Sequence, residues 1–107
     1  MAADRRSALD RLSAWYAGEC NGDWEHRCGV SIESTDNPGW WVKIDLVGTR
    51  LATRPFARIA EGVGTGDHPE GKRWLVCEVV DRVWNGSGDE TRLDEIIERF
   101  LAFAGEK

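Results

Sequence analysis

Several groups of residues in this 107-residue chain are of types that do chemistry, and their spacing decides how far each can be taken. Cys20, His26 and Cys28, with Asp23 between them, carry the sulfur, imidazole and carboxylate donors that zinc prefers. Structural zinc sites present C-x₂₋₄-C pairs, whereas these cysteines stand eight positions apart and Cys28 opens a strand-like run; buried free thiols are the simpler account. The same thiols beside His26 resemble a nucleophile and its base, but closeness along the chain is weak evidence of geometry in space. His68 lies in a loop, and no Gly-x-Ser-x-Gly turn is present. Gly66-Asp67-His68-Pro69-Glu70-Gly71-Lys72 matches G-x₄-G-K, the start of a phosphate-binding loop. Arg73 stands where the magnesium-binding Ser or Thr belongs, a strand follows where a helix is required, and the internal acids repel phosphate. A solvated loop fits better.

The remaining group is acidic: Asp23, Glu25, Glu33, Asp36 and Asp45. Paired carboxylates do acid-base work only where their environments split their pKa values, which spacing does not show. One reading is a plain solvated face. The other adds Trp24 and Trp41 and makes part of this set a docking surface for a positively charged protein partner, with indoles as anchors and acids supplying steering and register. For Trp24 a core role, with its indole N–H held, stands level with a binding role.

Both sets depend on the stretch Cys20 to Thr49, which holds three of the six tryptophans. Val30-Ser31-Ile32-Glu33 alternates as a half-buried strand does. Asp36-Asn37-Pro38-Gly39 reads as a type II turn, with Pro38 fixing φ and Gly39 supplying a positive φ. The returning strand, Trp40 to Val47, directs Trp40, Val42, Ile44 and Leu46 to one face and Trp41, Lys43 and Asp45 to the other. The first face is core; the second is free for a partner.

The flanking elements complete a domain. Ala8, Leu9, Leu12, Trp15 and Tyr16 recur at helical steps within Asp4 to Glu19, which predicts an amphipathic helix ended by Gly18 and Asn21-Gly22, with Trp15 and Tyr16 in the core. Gly48 marks a bend. Thr49 to Ile59, interrupted by Pro55, predicts an irregular or edge strand with Phe56 turned inward. Glu61 to Lys72 is a glycine-rich surface loop. Arg73 to Val83 predicts a central strand, Leu75, Cys77 and Val79 facing one way and Trp74, Val76, Glu78, Val80 and Arg82 the other. Trp84-Asn85-Gly86-Ser87-Gly88 reads as a turn cluster. Leu93, Ile96, Ile97, Phe100, Leu101 and Ala104 predict a helix over Asp89 to Ala104, capped by Asp89 or Thr91 and closed by Gly105.

Composition bounds the function. Apolar residues at 41% and charged residues at 31% argue for one folded domain over 1–107. A net charge of −5 argues against nonspecific nucleic-acid or anionic-membrane binding. No apolar run approaches the roughly 20 residues of a membrane span, and the start lacks a secretory hydrophobic region. These features and an odd number of cysteines predict a cytoplasmic protein with free thiols. Strands grouped between two helices predict α+β: an antiparallel sheet of about four to five strands with an N-terminal and a C-terminal helix packed on it.

The residues WY, then C-N-G-D-W-E-H, then D-N-P-G-W-W-V-K-I-D-L-V-G-T resemble the immunity protein 53 family of bacterial toxin-immunity systems. The likeness is clearest over Trp15 to Thr49 and extends more weakly to the last helix. It implies a small α+β protein that neutralises a cognate toxin by binding it, with no cofactor and no catalytic residues. The partner-binding residues expected on that reading are Asp23, Trp24, Glu25, Glu33, Asp36, Trp41 and Asp45. A homodimer through an exposed Trp41 face is compatible with it. The rival is a small-ligand or peptide-binding domain using a tryptophan-lined sheet and the glycine-rich loop, and after it a hydrolase or thiol enzyme built on Asp23-Trp24-Glu25-His26.

Overall fold

A computed structural model describes residues 6–105 of the chain. Helix α1 spans Ala8–Glu19 and a single turn, α2, spans Trp24–Arg27; the strands are β1 Val30–Thr35, β2 Gly39–Asp45, β3 Ile59–Glu61, β4 Leu75–Val80 and β5 Val83–Asp89, and helix α3 spans Leu93–Ala104. The five strands form one antiparallel sheet in the order β1-β2-β5-β4-β3. The fold is α+β, with the two long helices packed on one face.

The strand pattern places the core. Along β2, Val42 and Ile44 are fully buried, as is Leu46 just beyond it. They share a face with Leu75 and Cys77 of β4 and with Trp84 of β5. Against this face α3 lays Ile96, Ile97, Phe100, Leu101 and Ala104, all at most 2% exposed. Gly105 ends the helix in the left-handed conformation at φ 79°, as its lack of a Cβ allows. Ser7 begins α1, its Oγ accepting the Asp10 amide at 3.0 Å; Asp4 and Arg5, within the predicted helix, lie outside the described residues. Trp15 meets Phe100 edge-on at 4.8 Å and Arg11 pairs with Glu98, and both contacts fasten α1 to α3. Phe56 turns inward against Trp84 and Phe103, as Pro55 and its neighbours predict.

The fold corrects several sequence readings. Trp84 to Gly88 is no turn: it belongs to β5, the middle strand of the sheet. The turn lies one step earlier, at Asp81 and Arg82, both with positive φ, as a two-residue hairpin with right-handed twist requires. The glycines are there for clearance. A Cβ on Gly86 would stand 2.5 Å from Ile96 Cγ2 and from Trp84 Cη2, so α3 can lie this close only over glycine. Gly39 likewise has no positive φ; it opens β2, where a Cβ would strike the Gly88 carbonyl of β5. The hairpin loop is Asp36-Asn37-Pro38, between the paired Thr35 and Gly39. Tyr16 is 37% exposed, not core. Helix α3 starts at Leu93 with no side-chain cap; Asp89 instead ends β5, buried, where its carboxylate accepts the amides of Trp74 and Thr91 at 2.9 Å each and the Thr91 hydroxyl at 2.5 Å.

Candidate functional site

The motif C-N-G-D-W-E-H folds as a reciprocal cap. Asn21 Oδ1 accepts the amides of Asp23 and Trp24 at 2.9 Å, while the Glu25 carboxylate reaches back to the amides of Asn21 and Gly22 at 2.9 and 2.8 Å. Hydrogen bonding from its own backbone and from those two amides holds the Glu25 carboxyl below its ordinary value. Trp24, carried inward by this turn, is 4% exposed and donates its indole N–H to Val47 O at 2.9 Å. It also meets Trp15 edge-on at 6.0 Å. Of the two roles open to Trp24, the structure gives it the core. Asp23 pairs with Arg27 at 2.6 Å on the surface. Glu25 thus closes the turn on itself, and Trp24 joins α2 to the chain just beyond β2.

The rest of the expected binding set lies elsewhere, on the face of the sheet away from α1 and α3. Because facing residues of antiparallel strands share a side, the register Glu33↔Trp41↔Ser87 and Ser31↔Lys43↔Asn85 puts these side chains in two adjacent rows. Trp41 is 39% exposed, yet its ring is held. Its indole N–H donates to Asn85 Oδ1 at 3.2 Å, and Lys43 Nζ lies 4.4 Å from its ring centroid while bridging to Glu33 at 3.3 Å. Asp45 sits one row further along and accepts the Gly29 amide at 2.8 Å. Asp36 is exposed at the hairpin tip. Glu33, Trp41 and Asp45 therefore share a face with Asp36 at its end, and Asp23, Trp24 and Glu25 are apart from it.

Sequence reasoning missed Asn85 as the partner of Trp41, having read it into a turn. The signal was available in the alternation of large and small residues through Val83-Trp84-Asn85-Gly86. The acidic field is also weaker than the residue list implies, since Lys43 neutralises Glu33 and Arg58 lies 3.4 Å from Glu78 on the same face.

The other chemical groupings come apart. Cys20 is exposed, Cys28 half-buried and Cys77 buried, all as free thiols, and burial pushes the Cys77 thiol up to about 12. Among the described residues no group of three His, Cys, Asp or Glu side chains is placed to hold a metal ion. The loop holding Gly66 and Lys72 makes a short 3₁₀ turn over Thr65–Asp67 and a bridge between Val63 and Pro69. It leads into β4, a strand, where the phosphate-binding motif requires a helix. Trp74, 9% exposed, lies under this loop and lines a cavity of about 270 Å³ with Pro69, Gly71, Lys72 and the hairpin residues Asn37 and Pro38. Among the described residues no helix is long and apolar enough to cross a membrane.

Compared with known proteins, residues 9–105 match the model of a family described as immunity protein 53. No curated protein and no solved structure matches the chain.

Proposed function

From the premise that this chain belongs to the immunity protein 53 family, we propose that it neutralises a cognate bacterial toxin by stoichiometric binding, without catalysis and without a cofactor. The docking surface is the helix-free sheet face, with Trp41 as anchor and Glu33, Asp36 and Asp45 around it. One observation carries this choice: Trp41 is a large exposed aromatic whose orientation is already fixed by Asn85 and Lys43. A side chain ordered before binding loses little entropy when it binds. Asp23, Trp24 and Glu25 support the fold that presents this face. Three free thiols suit action in a reducing cytoplasm, and a net charge of −5 suits a basic protein partner over nucleic acid or membrane.

Tagged wild-type protein should retain one toxin-like protein from its native host. A folded Trp41→Ala variant should lose it, since truncating an anchor costs about 2 kcal/mol or more, roughly 30-fold in affinity. If the variant retains the toxin equally well, the face is wrong; if wild type retains no protein, the immunity reading fails. The cavity beneath the glycine-rich loop at Trp74 favours one other reading, a small-ligand site. Native mass spectrometry of freshly purified protein would reveal a co-purifying small molecule and move that reading ahead.

A further inference from the structure

The two edges of the sheet are treated differently. Edge strand β3 is three residues long and follows Pro55 and Arg58, features that discourage a further strand from joining. Edge strand β1 runs for six residues, Val30 to Thr35, without proline, lysine or bulge. Its free hydrogen-bonding groups can be assigned. Gly29 O accepts the Asp45 amide, and Leu46 N donates to Arg82 O on the other side of β2. Odd-numbered residues of β1 therefore point their amides and carbonyls at β2, while those of Val30, Ile32 and Ser34 point outward. Beside this edge runs a groove of about 430 Å³ whose walls, Leu9, Leu12, Ser13 and Tyr16 of α1 and Val30 and Ile32 of β1, include no charge. Leu9, Tyr16 and Ile32 remain 54%, 37% and 37% exposed.

We propose that this edge binds a second copy of the same chain, β1 pairing antiparallel with the partner's β1 about a two-fold axis through Ile32. Charge and register select that occupant. A chain of net charge −5 repels its own copy over most of its surface, and this uncharged strip is a place where two copies can meet without opposing charges. With Ile32 on the axis, Val30 faces the partner's Ser34, and every outward amide and carbonyl in those pairs gains a partner. Glu33 then lies opposite the partner's Ser31. Moving the axis to Glu33 would set two carboxylates face to face, which is unfavourable. The two sheets become continuous, their helices remain on one side, and the partner strand closes the open flank of the groove beside Tyr16 and Leu9. The Trp41 face stays uncovered. The dimer is thus independent of the toxin reading and is measured on the purified protein alone.

Light scattering after size-exclusion chromatography, over a concentration series, should give twice the mass of one chain for wild type. Ile32→Lys and Ile32→Pro should run as folded monomers, the proline because it removes an amide used only between copies. Val80→Lys, a charge placed at another exposed apolar residue (49%), should remain dimeric. Hydrogen exchange of wild type gives a readout without mutation: the Val30, Ile32 and Ser34 amides should become slower as concentration rises. A wild-type monomer throughout overturns the proposal. So does a dimer that survives both Ile32 substitutions, or one lost in Trp41→Ala and retained in Ile32→Lys.

Discussion

Replacing Gly86 with alanine tests the central claim of the fold, that a glycine-containing segment is the middle strand under α3. The added Cβ would lie 2.5 Å from Ile96 Cγ2, 2.5 Å from Trp84 Cη2 and 2.6 Å from Trp84 Cζ3. Carbon atoms in contact settle at roughly 3.5–4.0 Å, so helix or indole must move by about 1 Å. Neither moves freely. Trp84 and Ile96 are fully buried, and Trp84 is held edge-on by Phe56 and Phe100 at 6.0 and 5.4 Å. Overpacking of this kind costs about 1–3 kcal/mol, whereas the restricted unfolded chain returns about 0.4–1 kcal/mol. The net expectation is a loss of about 1.3 kcal/mol. In urea unfolding, where small proteins lose about 1–3 kcal/mol per molar denaturant, the midpoint should fall by about 0.6 M. Gly18→Ala is the control: it lies in α1 with nothing within 4 Å of a new Cβ, and should stabilise by about 0.5–1 kcal/mol. A Gly86→Ala protein within about 0.5 kcal/mol of wild type would refute the packing and restore the turn reading.

Burial raises the pKa of Asp89, but the hydrogen bonds from Thr91 and the Trp74 amide outweigh it and leave the carboxyl below its ordinary value. Its stabilisation is therefore complete above the unfolded pKa of about 3.9 and is lost as pH falls through the folded value. Asp89→Asn should lower stability at pH 7 and shrink the drop below about pH 4 in acid titration followed by circular dichroism. With its thiol pushed up to about 12 and its side chain buried, Cys77 should resist iodoacetamide in the native protein and react after unfolding, while exposed Cys20 reacts at once; mass mapping of the adducts decides. Trp24→Phe removes the bond to Val47 O and should cost about 1 kcal/mol or more in thermal unfolding while leaving toxin capture intact. Capture lost from a folded Trp24→Phe protein would return Trp24 to the interface. Ile97, 2% exposed, should not tolerate aspartate; a folded, soluble Ile97→Asp protein would contradict the docking of α3.

The hairpin was legible because its two periodicities are local. Alternation through Val30–Glu33 and Trp40–Leu46 determines which side chains share a face once the register is set, and that register puts Glu33 opposite Trp41. The helices were legible because a stripe such as Ile96, Ile97, Phe100 and Leu101 has one way to be buried. Short segments misled where glycine has two uses. Gly86 and Gly39 read as turn residues because glycine permits positive φ, but here they serve close approach between elements far apart in sequence. Asp89 misled in the same way: a plausible helix cap by position, it answers amides on two segments brought together by the sheet.

The amino-acid order by itself determined the two long helices, the β1–β2 hairpin, the α+β class and the division of β2 into a core face and a free face, because these follow from periods of two and 3.6 residues within single segments. Tertiary structure alone decided that β5 is central, that Trp24 lies in the core, and that the expected binding residues separate into the turn at α2 and a sheet face. It also left β1 as the unguarded edge. Those outcomes depend on which distant segments meet, and the close approach of α3 over Gly86 and of β5 beside Gly39 is a contact that neither segment records on its own.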